Sequence, residues 1–153
     1  MNSPAVREYG DLRIAAGERC VVVDLDGCTG MDSTFMGTLA GLAGRLTEGG
    51  GALQVVGTCA KTRGSLEDLG LDFLMEIEPA GALWCGQEEG VRAVLDGQGA
   101  EMKAGSALHS SHVLEAHQTL SDANDGNREK FSGVLKVLGE ELSGLSAVPR
   151  SGG

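Results

Sequence analysis

Three carboxylates and a serine hydroxyl lie within ten residues near the start of the chain. Asp24 and Asp26 follow an apolar, β-branched run, whereas Asp32 and Ser33 open an apolar helical pattern. A hydroxyl at a helix start can carry a phosphate, because the free backbone N–H groups and the helix dipole favour negative charge there. A pair of aspartates after a strand can instead supply a nucleophile and a general acid. The segment predicts phosphate chemistry of one of these two kinds.

Alternating strand and helix patterns predict how these side chains are positioned. The apolar periodicity indicates a helix from Pro4 to about Ala16, a buried strand over Cys20–Leu25 and a helix capped by Asp32 or Ser33 that runs to Leu46. A strand over Leu53–Val56, a short helix over Thr62–Leu69 and a third strand over Leu71–Ile77 are predicted next. This order is typical of a parallel sheet with helical crossovers, hence an α/β fold.

The rest of the chain is less regular and then strongly helical. Residues 79–107 contain short apolar segments that fit either an edge strand or a loop, and Trp84 among them marks either a contact surface or the core. From Ser110 onward the spacing predicts two helices or one bent helix, with turn residues over Asp122–Asn127. We therefore expect one domain over residues 1–108, a helical extension over 109–146 packed on it, and a flexible tail over 147–153.

The composition excludes some functions. A net charge of −10 and a pI near 4.6 argue against binding to nucleic acid, which needs clustered Lys and Arg. No apolar run approaches a membrane span and no signal peptide is evident, so we expect a cytoplasmic protein with no membrane insertion. Its four cysteines show no CxxC pairing, and we expect reduced, mostly buried thiols.

The segment Val21–Thr34 resembles the signature of STAS domains, the fold of anti-sigma factor antagonists. There, the serine that follows the aspartate is phosphorylated by a partner kinase. The order of elements over residues 4–78 also agrees, and the stretch from His112 to Leu142, with its Glu-Ala-His and Asn-Arg-Glu-Lys-Phe segments, is similar to the tail of a bacterial subgroup. The sequence departs from the family in two ways: the glycine that usually follows the serine is delayed to Gly37, with Phe35 before it, and two N-terminal strands are missing.

The resemblance implies a single STAS-like domain that acts as a phosphorylation-controlled protein-binding switch and not as an enzyme. Ser33 would be the phosphoacceptor. The expected partners are an anti-sigma factor or serine kinase with its cognate phosphatase, and no cofactor or metal is expected. The residues implied to contact a partner are Asp24, Asp26, Asp32, Ser33, Thr34, Phe35 and Thr58. A STAS scaffold or a component of a transport system, without phosphorylation, is an alternative.

A second alternative is an enzyme. The Asp-x-Asp-Gly segment at Asp24 and Asp26 is also similar to the signature of haloacid dehalogenase phosphatases, which use Mg²⁺. This similarity implies Asp24 as the nucleophile and Asp26 as the general acid. It also implies Thr58 as a phosphate-binding hydroxyl and Lys61 or Lys103 as the charge partner of the phosphate, with Asp122 and Asp125 as candidates for the later acidic pair. That acidic pair falls in a helical context instead of after a strand, so the required context is missing. In the simplest case Asp32 and Ser33 form only a helix cap.

The remaining candidates are less specific. His109 and His112 are interpreted as polar residues at a helix start, His117 as a core or interface histidine and Cys28 as the filler of a small pocket. A sheet that lacks its N-terminal strands leaves an apolar edge open. We therefore expect either added strands from residues 82–104 or a homodimer, with the apolar face of the C-terminal helices covering the remaining surface.

Overall fold

The computed structural model describes residues 3–82, 85–98 and 109–146. Helix α1 covers Ser3–Ala15 and strand β1 covers Cys20–Asp24. They are followed by α2 (Ser33–Glu48), β2 (Ala52–Val56), α3 (Ala60–Glu67), a 3-10 turn (Leu71–Phe73), β3 (Glu76–Ile77), α4 (Glu88–Gln98), α5 (His109–Ala123) and α6 (Asp125–Ser146). The predicted α/β fold with a helical C-terminal region is confirmed.

The sheet has three parallel strands in the order β1-β2-β3. Four of the five residues of β2 are buried, whereas all five residues of β1 are only half-buried. The prediction that β1 is buried on both faces is therefore wrong, because among the described residues β1 pairs with β2 alone and lies at the sheet edge. Whether a second copy of the chain covers this edge stays a prediction.

Helix α2 forms the centre of the core. Its buried face contains Phe35, Leu39, Leu42 and Leu46, and the helix packs against α1, β2 and α5. The predicted close approach at its glycines is confirmed at Gly37, where an added Cβ would overlap the backbone of Ala116 in α5. The absence of a side chain at this position lets α2 and α5 pack backbone to backbone.

The third strand is present but shorter than predicted, and one of the two expected ways of extending the sheet is not seen among the described residues. The segment Leu71–Ile77 begins with a 3-10 turn over Leu71–Phe73, and only Glu76 and Ile77 pair with β2. The segment that was expected to add strands forms helix α4 over Glu88–Gln98; residues 83–84, which include Trp84, and 99–108 lie outside the described residues. Val91 and Leu95 are four residues apart, which is a helical spacing. With so few apolar residues among Gly and Gln, this spacing alone did not distinguish a helix from a strand or a loop.

The C-terminal segment is two helices, which resolves the alternative between two helices and one bent helix. Asn124 separates α5 from α6, and its side-chain oxygen accepts a hydrogen bond from the Asn127 amide at 2.8 Å. The side-chain amides of both asparagines donate to the Leu69 carbonyl oxygen, at 3.0 and 2.9 Å. These bonds hold the connection between the two helices against the turn that follows α3. The predicted tail lies outside the described residues.

The thiols are more exposed than expected. Cys20 and Cys28 are half-buried, whereas Cys59 and Cys85 are exposed, and all four are free. Cys28 packs against the core, consistent with its interpretation as a filler. Among the described residues, no helix is both long and apolar enough to cross a bilayer.

Candidate functional site

The carboxyl ends of the three parallel strands bring polar side chains to one edge of the sheet. Asp24 ends β1, Thr58 follows β2, and Glu78 follows β3. Both the backbone amide and the hydroxyl of Thr58 donate to the Glu78 carboxylate, at 2.6 and 2.8 Å. Gly57 lies directly against Asp24, because a Cβ at this position would be only 2.5 Å from the Asp24 Oδ1 atom. The edge is therefore closely packed at Asp24.

Asp24 is held by an arginine that the sequence analysis did not single out. Two nitrogens of Arg92 in α4, Nε and Nη2, donate to the two Asp24 oxygens at 2.6 and 3.0 Å, and the Asp26 amide donates to Oδ1 at 2.9 Å. Burial raises the pKa of Asp24, but these hydrogen bonds and the Arg92 charge outweigh burial and lower it. The carboxylate is ionised and bidentate to a guanidinium, an arrangement that occupies both oxygens.

This pairing bears on the phosphatase alternative. A nucleophilic aspartate needs an oxygen directed at its substrate, but both Asp24 oxygens accept hydrogen bonds from Arg92. Asp26 is exposed and lies 3.6 Å from Arg92 Nη1. Asp122 and Asp125 lie at the α5–α6 connection, and no group of three or more potential ligand side chains suited to a metal occurs among the described residues. Lys103 lies outside the described residues.

The start of α2 presents the predicted phosphoacceptor. Asp32 is the N-cap, and its carboxylate accepts a hydrogen bond from the Phe35 amide at 2.7 Å. Ser33 is the first residue of the helix and is half-buried. The amine of Lys61 lies near the loop that leads to the helix, 3.5 Å from where a Cβ of Gly30 would be.

The Ser33 hydroxyl contacts a histidine from the C-terminal helices. Its Oγ lies 2.9 Å from Nε2 of His117 in α5, and Nδ1 of the same ring lies 2.8 Å from the Val113 carbonyl oxygen. A carbonyl oxygen can only accept, so Nδ1 carries a proton. In the neutral ring Nε2 is then the acceptor, and the Ser33 hydroxyl donates to it. His117 is buried, with 5% of its surface exposed, and packs edge-on against Phe131 of α6.

A second buried histidine on α5 also contacts a hydroxyl of α2, but here the ring is the donor and the hydroxyl is the acceptor. Nε2 of His112 lies 3.1 Å from the Thr38 hydroxyl, which itself donates to the Thr34 carbonyl oxygen at 2.8 Å. Nδ1 of His112 lies 3.4 Å from the Arg7 guanidinium, which can only donate. Nε2 of His112 is therefore the donor. His112 lies in the first turn of α5, as its interpretation as a helix-start residue implies, but it is only 4% exposed and its ring contacts α2.

The other residues implied to contact a partner differ in how exposed they are. Asp26 and Asp32 are exposed, while Thr34 and Thr58 are half-buried. Phe35 is 5% exposed and belongs to the core around α2, so its ring is not presented at the surface. The available surface at the site is therefore polar and includes two exposed carboxylates.

Comparison with protein families decides the fold family. A STAS domain model matches residues 1–82, which is more than half of the 153 residues. The chain belongs to the STAS domain family. No curated protein and no solved structure matches it. Helices α4–α6 lie beyond the matched segment, so the Ser33–His117 hydrogen bond joins the STAS segment to the region that follows it.

The sequence did not indicate His117 or Arg92 as parts of this site. His117 lies four residues after Val113, its backbone partner, and its position on an apolar helix face indicated only a buried ring. Arg92 is a basic residue in a segment whose secondary structure was ambiguous. Both act across more than sixty residues of sequence, at separations of 84 for His117 and 68 for Arg92, and such contacts have no local signature.

Proposed function

We propose that this STAS domain is a protein-binding switch controlled by phosphorylation of Ser33, in the manner of an anti-sigma factor antagonist. The observation that supports it is the position of this hydroxyl, on the first residue of α2 at the edge where the parallel strands end. The partner would be an anti-sigma factor or serine kinase, with a phosphatase that restores the unmodified serine.

The electrostatics of the site explain how a phosphate would change binding. A phosphoserine carries about −1.5 to −2 charges near neutral pH. It would stand beside the exposed Asp32 in a chain with a net charge of −10. A partner docked on the unmodified hydroxyl would lose that contact and would have to desolvate the new charge. Phosphorylation therefore releases the partner.

The carboxylates nearby differ in how strongly they oppose a phosphate. Arg92 compensates the charge of Asp24 through two hydrogen bonds, whereas Asp32 compensates the helix terminus by capping it. Among these carboxylates, the exposed Asp32 is therefore the one that mainly repels the added phosphate. A partner docked at the site must also desolvate the new charge. The phosphate thus acts on the interface more than on the fold.

Quantitative affinity capture from lysate of the source cells tests this function. Ser33→Ala is expected to retain the partner constitutively, and Ser33→Asp to lose it. Ser132→Asp is the control, because this exposed hydroxyl lies on α6 and bonds only locally, to the Glu129 carbonyl oxygen at 2.9 Å. Equal recovery of the same partners by Ser33→Ala and Ser33→Asp would contradict the switch and favour a scaffold.

A further inference from the structure

In the Ser33–His117 pair the histidine is placed to act as a base, which the proposed switch does not require. We propose that His117 accepts the proton of the Ser33 hydroxyl when that hydroxyl is phosphorylated, and that the resulting imidazolium then holds the phosphate. This inference rests on the proposed function, since it concerns the same serine. It assigns a role to a residue that lies outside the matched STAS segment.

The hydrogen bonds around the ring determine this role. The Val113 carbonyl oxygen, 2.8 Å from Nδ1, retains the proton on that nitrogen and leaves the lone pair of Nε2 directed at Ser33 Oγ, 2.9 Å away. A nucleophilic hydroxyl beside a base whose other nitrogen is oriented by a third group is the arrangement that activates serine. Burial of His117 against Phe131 keeps the ring in this orientation.

Phosphorylation of Ser33 transfers a phosphoryl group to its Oγ atom and a proton to His117. Ser33 Oγ attacks the γ-phosphorus of a nucleoside triphosphate held by the kinase, and a new O–P bond forms. The bond from that phosphorus to the bridging oxygen breaks, and the nucleoside diphosphate leaves with the electron pair. The hydroxyl proton moves to Nε2 of His117. The imidazolium then donates from Nδ1 to Val113 and from Nε2 to the phosphate.

His112 shows that a buried histidine on the same helix need not have this role. It also contacts a hydroxyl of α2, that of Thr38, but its Nε2 donates and therefore cannot take a proton from Thr38. The two rings are thus a matched pair on one helix. Their difference lies in the partner of Nδ1: a carbonyl oxygen for His117 and a guanidinium for His112.

Reactivity towards diisopropyl fluorophosphate tests the proposal without the kinase. Peptide mass spectrometry gives the rate at which Ser33 of the full chain is modified. We expect His117→Gln to lower this rate by about 100-fold or more, the range for loss of a general base, because glutamine can hydrogen-bond but cannot accept the proton. His112→Gln is the matched control and should leave the rate unchanged. Circular dichroism checks that both variants are folded.

Nitrogen NMR of the unmutated protein keeps the proposal testable if His117→Gln does not fold. The expected result is a protonated Nδ1 and an unprotonated Nε2 for neutral His117, with the opposite pattern for His112. The reverse tautomer at His117, or equal Ser33 reactivity in the unmutated protein and a folded His117→Gln variant, would overturn the proposal. Neither result depends on partner capture, so the proposed switch stands or falls separately.

Discussion

Replacement of Gly37 by alanine tests the packing that brings His117 to Ser33. The Cβ of alanine would lie 2.6 Å from the Ala116 carbonyl carbon and 2.9 Å from its Cα, and closer still to its carbonyl oxygen. Ordinary contact begins near 3.4 Å, so α2 and α5 must separate by about 0.8 Å or more. Because Ser33 Oγ and His117 Nε2 are 2.9 Å apart, such a separation would weaken or break their hydrogen bond.

A second glycine of the same helix isolates the energetic cost. Gly44 lies in α2, and apart from its chain neighbours and the backbone of the helix itself, no atom lies within 4 Å of its added Cβ. Both substitutions gain about 1 kcal/mol of helix propensity, whereas only Gly37→Ala overpacks an interface, at a cost of about 1–3 kcal/mol. The difference in free energy of unfolding between the two variants should therefore be about 1–3 kcal/mol, with Gly37→Ala the less stable.

Urea denaturation followed by circular dichroism measures this difference. The slope of the transition should stay the same in both variants if only native packing changes. The opposite outcome is a Gly37→Ala variant that is as stable as Gly44→Ala and retains the same Ser33 reactivity. That result would mean that α5 does not pack against α2 as described.

Two further predictions concern the sheet edge. Gly57→Ala should destabilise the protein more than Gly27→Ala. Both glycines have a positive φ, 68° and 71°, which costs alanine about 1–2 kcal/mol, but only a side chain at Gly57 would contact Asp24 and Asp26. Equal free energies of unfolding for the two variants would contradict this packing. Because the folded pKa of Asp24 is lowered, the stability from its Arg92 pair is present above the unfolded pKa of about 3.9 and is lost as the pH falls through the folded value. The stability difference between the unmutated protein and Arg92→Met should therefore shrink in acid, and a constant difference from about pH 6 to about pH 2 would contradict the ion pair.

The sequence predicted the part of the fold that depends on local patterns. The apolar period of α2 and its capping aspartate are local, and so is the apolar run of β2; each appears close to its predicted position. The third strand was overestimated because Leu71 and Met75 are buried by a turn and not by strand pairing. Apolar content alone does not distinguish these two ways of burying a short segment.

The candidate site was predictable only where it depends on residues that are neighbours in sequence. Ser33 and Asp32 could be placed at a helix start, because capping depends on neighbouring residues. Arg92 and His117 reach the site from α4 and α5 through tertiary packing, and a single sequence carries no record of which distant side chains meet. Phe35 was assigned to the partner surface from its place beside the serine, but the helical turn directs it into the core.

Phosphorylation at Ser33 can be observed directly by peptide mass spectrometry of this protein isolated from its own cells. Samples from growing and from stressed cultures should contain both unmodified peptide and peptide phosphorylated at Ser33, in proportions that change with the condition. Only the unmodified protein should be found bound to its partner. Unmodified Ser33 in every condition, or the same phosphorylated fraction in the partner-bound and unbound protein, would rule out control of binding by phosphorylation of Ser33.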